Sequence, residues 1–424
     1  MFSRLLLLSS LAALLSSGCA QSARPYATHA TDTSAPVIAE GIGINIHFTD
    51  PQPGEMKLLA DSGVRWVRMD FYWQRIETEK GRYDFTLYDR LLAALDQYKI
   101  RALFILDYSN KLYDEGRSPY TSEGRLAFAR WAAAAARHFG GRGILWETYN
   151  EPNIGFWTPH PNVFNYTLLA LECAKTMREV APGESLIGPA VSGIDLDFLE
   201  QCFKAGLLEY WSAVSVHPYR QTNPETVVED YRRLRRLIDA YAPAGKRVPI
   251  ICGEWGYTSA WRNLDESWQG VMLARELLIN QSNGIALSIW YDWHDDGEDP
   301  KDIEHHWGTV FFPYHANHQP VYDAKPSYRA IQTLSTLLAG YRFSERLVVG
   351  GDDDYILAFR KGDSTILVVW TTARAGHDVV IQTKPGKYRI IGHTGEQIGW
   401  RAGTDSGLSL TLTDVPQYVV SDKL

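Results

Sequence analysis

Long apolar runs, basic tracts and cysteines are all scarce in this chain of 424 residues. Its one extended apolar run, Leu5 to Leu15, is too short to cross a bilayer, which takes about 20 residues. Basic residues number 42 against 50 acidic ones, for a formal net charge of −8, so nothing suggests a polyanion-binding face. The only Lys/Arg-rich stretch, Tyr231-Arg232-Arg233-Leu234-Arg235-Arg236, has helical spacing and reads as the solvated face of a helix. No nucleic-acid partner is expected. Four cysteines cannot build a disulfide framework, so stability must come from a hydrophobic core. Cys173 and Cys202 lie in helical-looking segments of consecutive units and could pair, whereas Cys252 reads as a small buried hydrophobe.

The N-terminus reads as a targeting segment. Arg4 supplies positive charge, the apolar run follows, and small residues continue through Ser16-Ser17-Gly18-Cys19. Residues 1–19 are therefore expected to direct export, to the periplasm, the outer membrane or the medium. Gly18-Cys19 permits a lipoprotein reading with Cys19 acylated and attached to a membrane; cleavage after Ala20 is the alternative. Residues 20–39, rich in Ala, Ser, Thr and Pro, read as a flexible tether.

Over residues 40–340 strand-like and helix-like segments alternate. The strands are expected at 41–48, 64–73, 100–108, 144–150, 185–192, 213–218, 248–254 and 285–290. Helices are expected at 126–139, 163–180, 227–240, 268–281 and 325–339, among others. Eight βα units of this size describe an α/β fold, a (β/α)8 TIM barrel. Residues 341–424 lose the helical period and show short alternating runs parted by turn residues, as in Lys361-Gly362-Asp363. They are expected to form a small C-terminal antiparallel β-sandwich that packs on the barrel.

Two glutamates carry the functional reading. Glu151 closes Ile144-Leu145-Trp146-Glu147-Thr148-Tyr149-Asn150-Glu151, and Glu254 closes Val248-Pro249-Ile250-Ile251-Cys252-Gly253-Glu254. A carboxylate where a buried strand emerges is costly, and chemistry is a reason to accept that cost. Two such carboxylates are what glycoside hydrolysis requires: one protonates the leaving oxygen, the other attacks the sugar or activates water.

Tyr149-Asn150-Glu151-Pro152 resembles the Asn-Glu-Pro signature of glycoside hydrolase clan A, and Glu254 falls about three βα units later. Clan members are (β/α)8 barrels with a retaining mechanism. The resemblance implies Glu151 as acid/base, Glu254 as nucleophile and Asn150 as a partner of the sugar 2-hydroxyl. It implies that Arg68 keeps the nucleophile ionised, that Tyr219 donates to Glu254, and that His217 orients the site. Trp290 would floor the subsite of the cleaved sugar, and His47 is a further match at the end of strand one. Glu147, inside its strand, reads as an ion-pair partner. Phe156-Trp157, directly after the acid/base motif, is the expected platform on the leaving-group side.

The loop Asp292-Trp293-His294-Asp295-Asp296, continuing to Glu304-His305-His306-Trp307, is dense enough in His and Asp to suggest a metal, but reads as a polar rim. No metal or cofactor is expected. This loop, with Trp73-Gln74-Arg75-Ile76-Glu77 and Gly81-Arg82-Tyr83-Asp84-Phe85, is similar to bacterial members of family 39 and their relatives in family 5. Those include exported hydrolases of exopolysaccharide operons. The expected activity is retaining hydrolysis of an extracytoplasmic β-glycan. A transglycosylase with the same glutamates and a non-catalytic sugar-binding barrel are the alternatives.

Overall fold

The structure is a computed structural model that describes residues 40–422; Cys19 and the tether lie outside them. Eight parallel strands close into a barrel in sequential order. They are β1 (Ile42–Asn45), β2 (Trp66–Tyr72), β3 (Arg101–Asp107), β4 (Leu145–Thr148), β5 (Ser185–Ser192), β6 (Val214–His217), β7 (Ile250–Trp255) and β8 (Ser288–Trp290). Each falls within or next to a segment expected from the sequence. Helices return the chain outside the sheet, among them Ser122–His138, Val163–Val180, Val228–Tyr241, Glu266–Ser282 and Pro326–Leu337. Their starts are set by side chains that accept from otherwise unpaired N–H groups, as Thr121, Asn162, Asp195 and Asp265 do for the residue three positions on.

The barrel interior is a packed layer, not a pore. Trp66, Leu103, Ile105, Ile187, Ile251 and Ile289 form its lower plug. Buried titratable side chains of the strands, among them Asp107, Glu147 and His217, lie nearer the opposite, C-terminal end. Outside the sheet, Phe71 sits among Tyr88, Phe104, Trp131 and Trp146, with ring centroids 4.2–5.6 Å away. The basic run falls on the helix Val228–Tyr241, where Tyr231 and Leu234 are buried and Arg236 pairs with Glu229 at the surface. Cys173 and Cys202 are both buried free thiols, so the pairing considered above does not form.

The C-terminal strands are β9 (Arg342–Arg346), β10 (Asp354–Lys361), β11 (Ser364–Thr371), β12 (His377–Ile381), β13 (Gly386–Gly392), β14 (Gln397–Gly403), β15 (Leu408–Leu412) and β16 (Gln417–Ser421). Six form one antiparallel sheet in the order β14-β13-β16-β11-β10-β9, and β12 pairs with β15 over its other face. The sequence did not mark β9 and β14. Both are edge strands, largely polar or exposed, so the apolar alternation that reveals a strand is missing. The sheet docks on the barrel through a shared core. Trp370 is fully buried there and its indole N–H donates to Glu225 at 2.7 Å; Glu225 in turn is held by two 2.7 Å bonds from Arg275. Among the described residues no helix is long and apolar enough to cross a membrane.

Candidate active site

Arg68 is the hub of the C-terminal end of the barrel. It rises from β2 with 1% exposure, and a guanidinium so placed must be fully bonded. Its Nε donates to Glu147 Oε2 at 2.8 Å from β4, and its Nη1 to Glu254 Oε2 at 2.5 Å from β7. Nη2 donates to Asn150 Oδ1 at 2.7 Å. Nη1 also lies 3.4 Å from Asn45 Oδ1, and Nη2 3.4 Å from His217 Nε2. One cation thus ties five strands together beneath the cleft. Glu147, as its position in the strand suggested, is an ion-pair partner with no exposure.

Backbone irregularities aim the two glutamates. Tyr149 and Glu151 have φ of 69° and 44°, so β4 turns sharply on either side of Asn150. Such left-handed residues are uncommon and gather where a site demands them. The Glu151 amide is secured to Ala190 O on β5 at 2.9 Å. On β7 the pairing with β8 slips between Cys252 and Trp255, which includes Glu254. Gly253 is needed here: a Cβ at this position would meet Ser215 Oγ at 2.2 Å and Glu147 Oε1 at 3.0 Å.

The carboxyl groups of Glu151 and Glu254 face one another across His217, each offering an oxygen within 4.8 Å of the other and of a His217 nitrogen. Tyr219 OH donates to Glu254 Oε1 at 2.9 Å, so both oxygens of Glu254 are held. His217, wholly buried at the end of β6, donates from Nδ1 to Glu151 Oε1 at 2.9 Å. The three donors have the composition of a metal site. Arg68 already stands against Glu254 and beside His217 Nε2, so the set reads as a charge and proton network.

Burial pushes Glu151 upward, but the hydrogen bond and charge of His217, with the charge of Arg68 and a bond from Ser192, hold it below the usual carboxylate range. Burial and a neighbouring carboxylate alone would have raised it. The resemblance implied that His217 orients the site; the structure shows that it does so by bonding Glu151. His47 follows β1 and sits 2.9 Å from Asp292 Oδ2; the charge of Asp292 outweighs burial and pushes it up to about 10. It contacts the hub only through Asn45, whose amide lies 3.4 Å away.

Two expected sugar platforms are not available. Trp290 is fully enclosed between its neighbours on β1 and β7 and presents no face to the cleft. The next residue, Tyr291, is partly exposed, edge-on to His47 at 5.7 Å and to Trp307 at 5.8 Å. Trp157 is likewise buried, against Tyr149 and Tyr166, while Phe156 beside it is 47% exposed and stacks on Tyr108 at 5.6 Å. Tyr108 directly follows β3, and its hydroxyl accepts from Asn150 Nδ2 at 2.9 Å, so Asn150 is fixed from both ends of its amide. That role was not visible in sequence, where Tyr108 is one aromatic among many.

The polar groups of the loop after β8 are largely spent on its own architecture. Asp295 accepts from Lys325 at 2.7 Å and from the Gly308 amide at 2.9 Å, and His306 donates to the Asp299 carbonyl. Lys325 is buried and also pairs with Glu266 at 3.1 Å.

Residues 31–297 match the family described as Cellulase (glycosyl hydrolase family 5). The chain belongs to this family. A curated relative, Beta-glucosidase 47 of Arabidopsis thaliana, is 29% identical over 153 residues, covering 33% of this chain and 27% of that protein. The chain therefore matches about a quarter of that relative's length. Among solved structures, a family 39 glycoside hydrolase from the gut symbiont Bacteroides cellulosilyticus WH2 superposes with a TM-score of 0.78 at 24% identity, over 93% of this chain and 82% of that one. A family 39 beta-xylosidase from Caulobacter crescentus gives 0.66 at 19% identity, over 93% and 98%. These likenesses show the fold alone: a (β/α)8 barrel with a C-terminal sheet.

Proposed function

We propose that this family 5 member is a retaining β-glycoside hydrolase that cleaves an oligosaccharide or polysaccharide by double displacement. The observation that carries the reading is that a carboxylate oxygen of Glu151 lies within 4.8 Å of one of Glu254. Retention needs carboxyl groups about 5 Å apart, so that one can bond the anomeric carbon, whereas inversion needs roughly 6.5–9.5 Å to admit a water between them.

Glu254, with both oxygens aligned by Arg68 and Tyr219, attacks the anomeric carbon and expels the leaving group. Glu151 donates a proton to the departing oxygen. In the free protein the 2.9 Å bond with His217 and the charge of Arg68 hold Glu151 low, so Glu151 must take up its proton as substrate binds in order to serve as the acid. Departure of the product leaves Glu151 as a carboxylate, which deprotonates the incoming water; that water breaks the glycosyl ester and frees Glu254. Asn150, clamped by Arg68 and Tyr108, is set to bond the sugar 2-hydroxyl, and Phe156 on Tyr108 serves the leaving-group side. A glycan-panel digestion analysed by mass spectrometry tests the activity and identifies the substrate. Polymer shortening supports hydrolysis; products longer than the substrate favour the transglycosylase alternative.

The place of action is proposed to lie outside the cytoplasm, on the strength of the N-terminal targeting pattern with its Cys19.

A further inference from the structure

We propose that Asp70 is a specificity-determining residue of the cleft, an acceptor for the 3-hydroxyl of the glycone, and that Asp107 is the positioning residue that holds it. The inference rests on the hydrolase reading above and deepens it: the glycone must carry a free hydroxyl beside the one that Asn150 takes. Strand geometry places Asp70. β2 pairs with β3 without a break from Trp66 opposite Arg101 to Tyr72 opposite Asp107. Side chains alternate along such a strand, so Trp66 in the plug, Arg68 in the hub, Asp70 and Tyr72 all face the barrel interior. Asp70 therefore stands about 7 Å along the strand from Arg68, the residue that bonds Glu254. It is half-buried, whereas Glu147 and Asp107 are wholly enclosed.

Asp70 is held yet still open. Its Oδ2 accepts from the Tyr72 hydroxyl at 2.8 Å. Tyr88 pins the backbone around it, donating to the Asp70 carbonyl at 2.8 Å and accepting from the Tyr72 amide at 3.0 Å. Among the described residues no cation bonds the Asp70 carboxyl: Arg68 serves Glu147, Glu254 and Asn150, and Arg75 lies over the Tyr72 ring at 4.5 Å. A half-exposed carboxylate so fixed keeps lone pairs for the hydroxyl groups of a ligand. The Tyr72 ring lies 6.5 Å from that of Tyr108, whose hydroxyl accepts from Asn150. Asp70 and Asn150 are thus consecutive polar stations along the wall from β2 to β4, as the 3- and 2-hydroxyls are consecutive on a sugar.

Asp107 keeps Asp70 aimed. On β3 it faces the interior with Leu103 and Ile105 of the plug, stands opposite Tyr72, and has no exposure. Neither of its oxygens receives a donor from the described residues. The group it meets is the Asp70 carboxyl. Burial first, and that neighbour next, push Asp107 well above the ordinary carboxylate range against the pull of Arg68. A buried carboxylate without a donor is untenable. Asp107 is therefore a neutral acid whose O–H donates to Asp70.

The test measures kcat/KM of the full chain on 2,4-dinitrophenyl β-glycosides of glucose, mannose and xylose, each beside its 3-deoxy counterpart. In the parent, loss of the 3-hydroxyl should cost about ten- to a hundredfold on the best substrate, the range for a hydrogen bond to a charged group. Asp70→Ala should erase that gap. Asp107→Asn, whose amide N–H can still donate to Asp70, should keep it, and Asp107→Leu should narrow it; a purely structural role for Asp107 would lower turnover of both members of each pair alike. Infrared spectra near neutral pH supply a readout independent of catalysis: the protonated-carboxyl band of the parent should lose one component in Asp107→Asn. No such loss, or an Asp107→Asn variant without the discrimination, overturns the role of Asp107. A 3-deoxy substrate turned over as fast as its parent sugar, or a gap that survives Asp70→Ala, overturns the role of Asp70 and leaves the hydrolase reading intact. No turnover of any glycoside overturns the hydrolase reading, and the assignment of Asp70 with it.

Discussion

Replacing His217 by Phe isolates the interaction that sets the ionisation of Glu151. The ring volume is kept, His217 has no exposure, and the substitution removes the 2.9 Å bond from Nδ1 to Glu151 Oε1. Hydrogen bonds to charged groups contribute roughly 1.5–3 kcal/mol. Losing this one therefore weakens the ionised form of Glu151 by about ten- to a hundredfold in its proton-binding constant. Burial, which the histidine now outweighs, would then dominate. The sign for stability follows. A carboxyl held low by folding stabilises the native state above its unfolded-state value, and that contribution fades as pH falls through the folded one. The variant should therefore be less stable than the parent near pH 7, with the difference shrinking toward pH 4. Thermal unfolding across that range measures this directly, and isotope-edited infrared titration of the Glu151 carboxyl reports its protonation. A carboxyl that titrates at the same pH in both proteins, or a stability difference independent of pH, would refute the reasoning.

Other substitutions separate the roles around the cleft. Glu151→Ala should cut turnover of poor leaving groups by roughly 10²–10⁴-fold while sparing the first step for dinitrophenyl glycosides, and azide should restore turnover as a β-glycosyl azide; equal loss on both substrates without rescue contradicts the acid/base role. Phe156→Ala should weaken binding of extended substrates with little effect on melting, whereas Trp157→Ala should cost about 3–5 kcal/mol of stability because that ring is core; a comparison of KM and chemical denaturation settles both. Gly253→Ala should depress kcat, because the added methyl meets Ser215 Oγ at 2.2 Å beneath Glu254, and unaltered kinetics would count against the tight fit. Membrane fractionation beside Cys19→Ala tests the anchor: the parent should sediment with membranes and the variant should not, and a soluble parent contradicts acylation.

Much of the fold was legible because the barrel repeats one pattern. Branched apolar runs alternate with 3.6-period segments, and burial on both faces keeps those strands nearly continuous in hydrophobicity. Glu151 and Glu254 were legible for the opposite reason, as charges where apolar runs end. Side-chain direction was not. Trp290 and Tyr291 are adjacent, and successive strand residues face opposite ways, so an error of one position in the strand's end exchanges a buried ring for an exposed one. Phe156 and Trp157 fail in the same manner within a turn whose backbone departs from any periodic element. The bond from His217 to Glu151 spans from β6 to the end of β4, and the clamp from Tyr108 on Asn150 joins the ends of β3 and β4, all far apart in sequence. Contacts of that kind depend on barrel register, which composition and spacing do not encode.

The central claim is that Glu151 and Glu254 act together by double displacement. Proton NMR of the first-formed product, recorded before mutarotation on whichever β-linked glycan the panel identifies, tests it most directly. The β-anomer should appear first and the α-anomer only as the sugar equilibrates. Initial release of the α-anomer would mean inversion, and two carboxylates with oxygens within 4.8 Å of one another would then have been given the wrong chemistry.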